Sequence, residues 1–228
     1  MPEIKIIEIK EEILADNDKL AGEIRRQMQE RGILLLNLMS SPGSGKTSLI
    51  VRTVREIGNT LRTAVVEADI DSTVDAETVA REGVPAVQFR TGGACHLDAA
   101  MVEAALREVS LDSLDLVILE NIGNLVCPAE FDTGASVNVM ILSVPEGDDK
   151  PLKYPLMFST CDALVVNKID YLQLADFNLQ ALRERAINLN PRIRIFEVSC
   201  KTGEGILAWV AWLRSEIEKI KEGERVRG

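Results

Sequence analysis

The sequence predicts an α/β domain of the P-loop NTPase class, with a mostly parallel sheet covered by helices on both faces. Three observations carry this expectation. Solid apolar runs recur from ILLLNLM at 33–39 to IRIFEVS at 193–199, with amphipathic stretches between them. Runs that do not alternate suit strands buried on both faces. The first of these runs leads through a loop of small residues into Lys46-Thr47, the order strand, phosphate loop, helix. The chain has 228 residues, 46% of them apolar, enough for one core with short additions.

The elements follow in order. Ile4, Ile6, Ile7 and Ile9 suggest a short strand-like start, and Leu20, Ile24 and Met28 then recur at helical spacing within 11–31. Gly32 ends that helix. Residues 1–31 thus read as an N-terminal appendage packed on a main domain at 32–222, with 223–228 a frayed tail. Strands are expected at ILLLNLM (33–39), TAVVEAD (63–69), AVQFR (86–90), LDLVILE (114–120), VNVMILSV (137–144), ALVVN (163–167) and IRIFEVS (193–199). Helices are expected at 46–58, 75–83, 96–109, 178–189 and 205–221. In the last of these, Ile206, Val210, Leu213, Ile217 and Ile220 form an apolar stripe, and Trp209 and Trp212 beside it suit core or interface packing.

Charge and composition narrow the function. Lys plus Arg total 26 against 36 Asp plus Glu, a net charge of −10, so the chain lacks the basic face a nucleic-acid binder needs. No apolar run approaches the ~20 residues of a membrane span. The N-terminal stretch MPEIKIIEIKEE has neither the basic start nor the apolar segment of a secretory signal. Four cysteines are too few for a disulfide framework, which suits a reducing cytoplasm.

The loop SSPGSGKT carries the most chemistry. Gly45, Lys46 and Thr47 fit the end of G-x-x-x-x-G-K-[ST], while Ser40 stands where the first glycine is usual. Gly43, Ser44, Gly45 and Ser48 would place backbone N–H groups around phosphates at a helix N-terminus. Lys46 would pair with β/γ oxygens, and the Thr47 hydroxyl would ligate Mg²⁺.

NKID places Asn167, Lys168 and Asp170 at a strand end, the N-K-x-D arrangement of GTPases. Asp170 can accept from N1–H and the 2-amine of guanine, whereas adenine would leave the carboxylate unpaired. Asn167 would fix the loop and the purine edge, and the stem of Lys168 would lie along the base. Ser199, Cys200 and Lys201 in SCKTGEG have the form of a further guanine-contacting loop. The expected ligands are therefore GTP and GDP. Glu120 ends an apolar strand and is a Mg²⁺ candidate, and the Gly123 N–H is a candidate γ-phosphate donor. Among Asp69, Asp71 and Asp75, position favours Asp69 and Asp75 as Mg²⁺-shell or water-orienting groups, although any single one of them suits a solvated loop or helix cap better.

Six segments together resemble one family: SSPGSGKT, EADIDSTVDAE, TGGACHLDAAMV, ILENIGNLVCPAEFD, SVPEGDDKPLKYP and NKID. They are similar to HypB, the nickel-handling GTPase of [NiFe]-hydrogenase maturation. The resemblance spans roughly residues 20–213. It implies a slow GTPase that dimerises on binding GTP and a site for Ni²⁺ or Zn²⁺ at Cys95, His96 and Cys127 near the dimer interface. It also implies a HypA-like nickel-binding accessory protein and a hydrogenase large-subunit precursor as partners. Lys153 resembles a family residue near the nucleotide. Neither a cysteine nor a histidine precedes Cys95, so the N-terminal metal cluster of some members has no counterpart here.

From residue types alone, buried thiols beside a hydrogen-bonded histidine explain Cys95, His96 and Cys127 better than a metal does, because C-x-x-C spacing is missing. The resemblance reverses that balance, as does the place of Cys127 seven residues beyond Glu120. Cys95 before a helix should have its thiolate favoured, and the irregular TGGAC segment would let neighbouring residues face one ion. Cys161 and Cys200 adjoin apolar strands and suit structural roles. Two other readings stay open: a metal-binding module with a structural, slowly hydrolysed nucleotide, and a related nickel or cobalamin-accessory GTPase.

Overall fold

The computed structural model describes residues 9–69 and 74–223. Of the strand-like start, Ile4, Ile6 and Ile7 lie outside these residues, as do Asp71 and the tail at 224–228, while Ile9 opens the first helix instead of ending a strand. Among the described residues seven strands form one sheet: β1 (Leu34–Ser40), β2 (Thr63–Asp69), β3 (Ala86–Arg90), β4 (Leu116–Gly123), β5 (Val137–Ser143), β6 (Ala163–Asn167) and β7 (Arg194–Glu197). Their order is β3-β2-β4-β1-β5-β6-β7, and every neighbouring pair is parallel. The described strands are thus all parallel, in keeping with the expected sheet.

The helices are α1 (Ile9–Glu30), α2 (Lys46–Ile57), α3 (Val74–Ala80), α4 (Ala99–Arg107), α5 (Cys127–Glu130), α6 (Lys150–Lys153), α7 (Pro155–Thr160), α8 (Leu179–Leu189) and α9 (Ile206–Lys221). Alternation along β1 sends Leu34, Leu36 and Leu38 to one face, where they meet α2 and α9 through Leu49, Ile50, Trp209 and Leu213. Ile33 and Leu35 go to the other face and meet α1 and α4 through Ile24, Met28 and Val102. Farther along that face Met39, Met140 and Leu164 pack on α7 and α8 through Phe158 and Leu182. Burial on both faces is why the strands read as solid apolar runs.

Three short helices escaped the sequence reading. α5, α6 and α7 are four to six residues long and each has proline in its first turn. Proline fits that position because its missing N–H would have no helical partner there, but such pieces are too short to show a 3.6-residue period. The chain goes from β1 toward β2 and β3, returns to β4, and then continues from β5 away toward β7. The turning point lies at the carboxyl end of β1, where parallel α/β sheets bind ligands. Among the described residues no helix is long and apolar enough to cross a membrane.

Candidate nucleotide site and metal centre

The phosphate loop leaves the end of β1. Its two left-handed residues are glycines, Gly43 at φ +78° and Gly45 at φ +100°. Ser40 keeps ordinary extended backbone inside β1, so the missing first glycine costs no strain. Its hydroxyl donates to the Ser41 carbonyl at 2.6 Å and accepts from Lys46 Nζ at 3.1 Å. A Cβ on Gly45 would run into Asn167 Nδ2, so close approach as well as φ requires glycine there. No side chain caps the start of α2, which leaves its first N–H groups for an anion.

Glu146, which the sequence reading missed, braces this loop. Its carboxylate accepts from the hydroxyls of Ser41, Ser44 and Ser143 and from the Ser143 N–H. A capping-box pattern around Ser143-Val-Pro-Glu146 is visible in the sequence once a helical turn is placed there.

The guanine-type loop is assembled as a unit. Buried Asn167 donates to the Ser44 carbonyl at 2.9 Å and accepts from the N–H groups of Lys168 and Cys200 at 2.8 and 3.2 Å. One carboxamide thereby ties together three loops. Ser199 Oγ donates to Asp170 Oδ1 at 2.6 Å. Lys168 takes a left-handed φ of +61° and its Nζ donates to the Gly43 carbonyl at 2.8 Å. A cavity of about 360 Å³ opens among Gly45, Ser48, Lys168, Asp170, Cys200 and Lys201, large enough for a base and sugar. Burial pushes the Cys200 thiol up to about 11. Lys153 is not brought to this cavity; it is exposed and pairs with Asp149 at 2.5 Å. Another cavity, of about 450 Å³, lies at the amino ends of β6 and β7 against Asp162, Arg194 and Trp212, away from every expected site residue.

Three carboxylates converge beyond β2 and β4. Glu67, Asp75 and Glu120 each place an oxygen within 4.8 Å of the others. Glu67 and Glu120 face each other in register on neighbouring strands. Thr47 Oγ1 donates to Glu120 Oε1 at 2.9 Å, while Oε2 of both glutamates is buried without a hydrogen bond. Burial, followed by the neighbouring carboxylates, pushes Glu67 up to about 8. Burial pushes Glu120 up to about 7 against the pull of Lys46 and Thr47. Burial also lowers the Lys46 ammonium. The cluster thus takes Asp75 rather than Asp69 from the expected pair. It adds Glu67, an acid inside an apolar run whose partner only strand pairing reveals.

The cysteine–histidine expectation meets its geometry at the same end of the sheet. Gly92 and Gly93, at φ +61° and +103°, break the chain after β3. Cys95 Sγ lies 3.1 Å from Cys127 Sγ and 3.6 Å from His96 Nδ1, and one donor atom from each residue falls within 4.8 Å of the others. Metal–sulfur bonds of about 2.3 Å in a tetrahedron would set the two sulfurs about 3.8 Å apart, so the triad needs little rearrangement. His96 stacks on Phe131 with ring centres 3.9 Å apart, and burial lowers its pKa, which favours the neutral imidazole a metal takes. One expectation fails. The neighbouring Cys127 thiol holds Cys95 above the ordinary thiol value. The start of α4 does not offset this, because Asn17 Oδ1 and Asp98 Oδ1 already accept its Ala99 and Met101 N–H groups at 2.9 and 2.8 Å. Cys161 is buried against Met157, as a structural thiol should be.

Phosphate loop, strand-end acids and base cavity define a P-loop nucleotide-binding protein that also carries a thiol–imidazole cage. A model of the family described as CobW/HypB/UreG, nucleotide-binding domain, matches residues 34–197. The hydrogenase maturation factor HypB of Rhizobium leguminosarum bv. viciae is 45% identical over 213 residues, covering 93% of this chain and 71% of that protein. The crystal structure of HypB from Helicobacter pylori in complex with nickel superposes with a TM-score of 0.84 at 38% identity, over 92% of this chain and 97% of that one. HypB from Archaeoglobus fulgidus gives 0.83 at 38% identity, over 90% and 100%. The chain belongs to the CobW/HypB/UreG family, among its HypB hydrogenase maturation factors.

Proposed function

We propose that the chain is a GTP-hydrolysing metallochaperone that couples GTP binding and hydrolysis to nickel delivery in [NiFe]-hydrogenase maturation. Its cargo is Ni²⁺, with Zn²⁺ able to occupy the same donors. Cys95, His96 and Cys127 hold the ion and leave one position open for transfer, as three ligands do in sites that exchange a fourth. A GTP-favoured homodimer then meets a HypA-like accessory protein and the hydrogenase precursor. Cys95 and Val126, both exposed, support a metal centre that faces a partner.

At the nucleotide, Asp170 accepts from guanine, with Ser199 orienting its carboxylate and Asn167 tying its loop to the phosphate loop. Cys200 and Lys201 close the cavity. Gly43, Ser44 and Gly45 wrap the phosphates, Lys46 neutralises β and γ oxygens, and the Gly123 N–H donates to the γ-phosphate. Thr47, Glu120, Glu67 and Asp75 hold Mg²⁺ or the water of its shell, and the unpartnered glutamate oxygens fit a hard cation. Mg²⁺ supplies charge neutralisation to the phosphate oxygens. Asp75, or Asp69 nearby, orients the water that attacks the γ-phosphorus, giving GDP and phosphate. Lys153 joins the nucleotide through another protomer or a rearranged loop, since its own chain holds it at Asp149.

The observation that carries this reading is the short path from nucleotide to metal. Glu120 and Cys127 bracket one strand end, so displacement there reaches both centres. Ni²⁺ titrated into the protein with GDP and with a non-hydrolysable GTP analogue should give affinities that differ by roughly 5-fold or more. Equal affinities would remove the coupling, and hydrolysis indifferent to guanine against adenine would remove the base assignment.

A further inference from the structure

The two segments that carry the metal donors are joined by the side chain of Asn124. Asn124 follows Gly123 at the end of β4. Its Nδ2 donates to the Cys95 carbonyl at 3.1 Å, and its Oδ1 accepts from the Val126 N–H at 2.9 Å. The first bond fixes the backbone of one ligand, and the second fixes the residue before Cys127. A second carboxamide, fully buried Asn121, accepts from the Leu97 N–H at 3.2 Å and donates to Asn37 Oδ1 at 3.1 Å. The Cys95-His96 segment is therefore held from both sides by asparagines that flank Ile122 and Gly123.

On the opposite side, Gly123 touches the phosphate loop. A Cβ on it would lie 2.9 Å from both Pro42 N and Pro42 Cγ, and it pairs with Ser40 across an irregularity in the β1–β4 register. The β4 end is thus confined between the phosphate loop and the metal-bearing loops. Any displacement of Gly123 carries Asn124 with it, and the carboxamide passes that displacement to Cys95 and Cys127 together.

We propose that Asn124 is the positioning residue that transmits nucleotide state to the metal centre, by keeping the Cys95 loop and the Cys127 loop moving as one body. This rests on the coupled nickel reading above. Asn124 donates none of its own atoms to the metal. Without its carboxamide, Cys127 still follows the β4 end through the chain, while Cys95 loses its direct bond to that end and keeps only the indirect tie of Leu97 to Asn121.

The test is Ni²⁺ titration of the full chain, wild type, Asn124→Ala and Asn124→Asp, each with GDP and with the non-hydrolysable analogue. Sulfur-to-nickel charge-transfer absorption is read in parallel. Aspartate keeps an acceptor for Val126 N–H and loses the donor to Cys95. Both variants should keep nucleotide affinity within about 2-fold and retain the charge-transfer band, while the ratio of nickel affinities in the two nucleotide states falls from roughly 5-fold or more toward 1. A purely structural role would weaken nickel equally in both states and preserve the ratio, and that result overturns the proposal. So does a wild-type ratio in Asn124→Asp. A wild-type ratio of 1 sinks the coupled reading itself, a different failure from a ratio that persists in the variants.

Discussion

At Asp170 a single carboxylate sets the choice of base. Ser199 Oγ fixes one oxygen at 2.6 Å, and an asparagine there could still accept that bond, so Asp170→Asn should leave the loop standing. It would, however, offer an amide N–H where guanine presents its own donors. GTP affinity should fall by about 100-fold or more, with xanthosine triphosphate gaining in its place, as competition binding of the two nucleotides would read. This residue was legible because N-K-x-D is contiguous in the chain. The lysine and threonine of the phosphate loop were legible for the same reason. Glu67 and Glu146 were not, since each acts through partners far away in sequence: Glu120 for one, Ser41 and Ser44 for the other. Ser40 looked like a flaw only because sequence does not display φ. The thiol of Cys95 was misjudged because proximity to a helix start says nothing about which side chains already occupy its N–H groups.

Strands were the legible elements, because both sheet faces are covered and each run is apolar throughout; β2, β3 and β6 fall on the expected residues. What the runs conceal is register. Parallel pairing sets Glu67 opposite Glu120, and like charges directly across neighbouring strands repel. Both carboxyls are raised, to about 8 and about 7, so the folded protein binds more protons than the unfolded chain across that range. The stability linked to those protons is complete below the ordinary carboxylate value of about 4.5 and is lost as pH rises through about 8. Thermal unfolding of nucleotide-free, metal-free protein should therefore show a melting temperature that declines between about pH 5.5 and about pH 8.5. Glu67→Gln should flatten the decline and raise the melting temperature at the alkaline end, and Mg²⁺ with nucleotide should flatten it in the parent protein. A parent profile as flat as that of the variant would show that the pair is not strained.

For the molecule as a whole, the open question is whether the first helix is an addition or part of the core. Sequence read residues 1–31 as an appendage packed on the main domain, because the alternating strands begin only after Gly32. The contacts of α1 argue for integration. Ile24 and Met28 lie in the apolar layer beneath Leu35 and Val102, and Gly134 is held so close that a Cβ would strike Ile24 and the Ala21 carbonyl. Asn17 caps the start of α4 and also donates to the Asp132 carbonyl, while Arg25 grips the Asp132 carboxylate at 2.6 Å and the Ala135 carbonyl at 3.1 Å. The helix thus backs both segments that bring up the metal donors, the one running into α4 and the one leaving α5. An Ile24→Ala substitution removes buried methyl groups from a site walled by β1 and α4, where collapse is restricted. The cost should be about 2–4 kcal/mol, lowering the melting temperature by roughly 5–15 °C in a single cooperative transition. A detachable helix would instead give a change near zero, or a separate early transition with the main one unmoved; scanning calorimetry of parent and variant distinguishes the two.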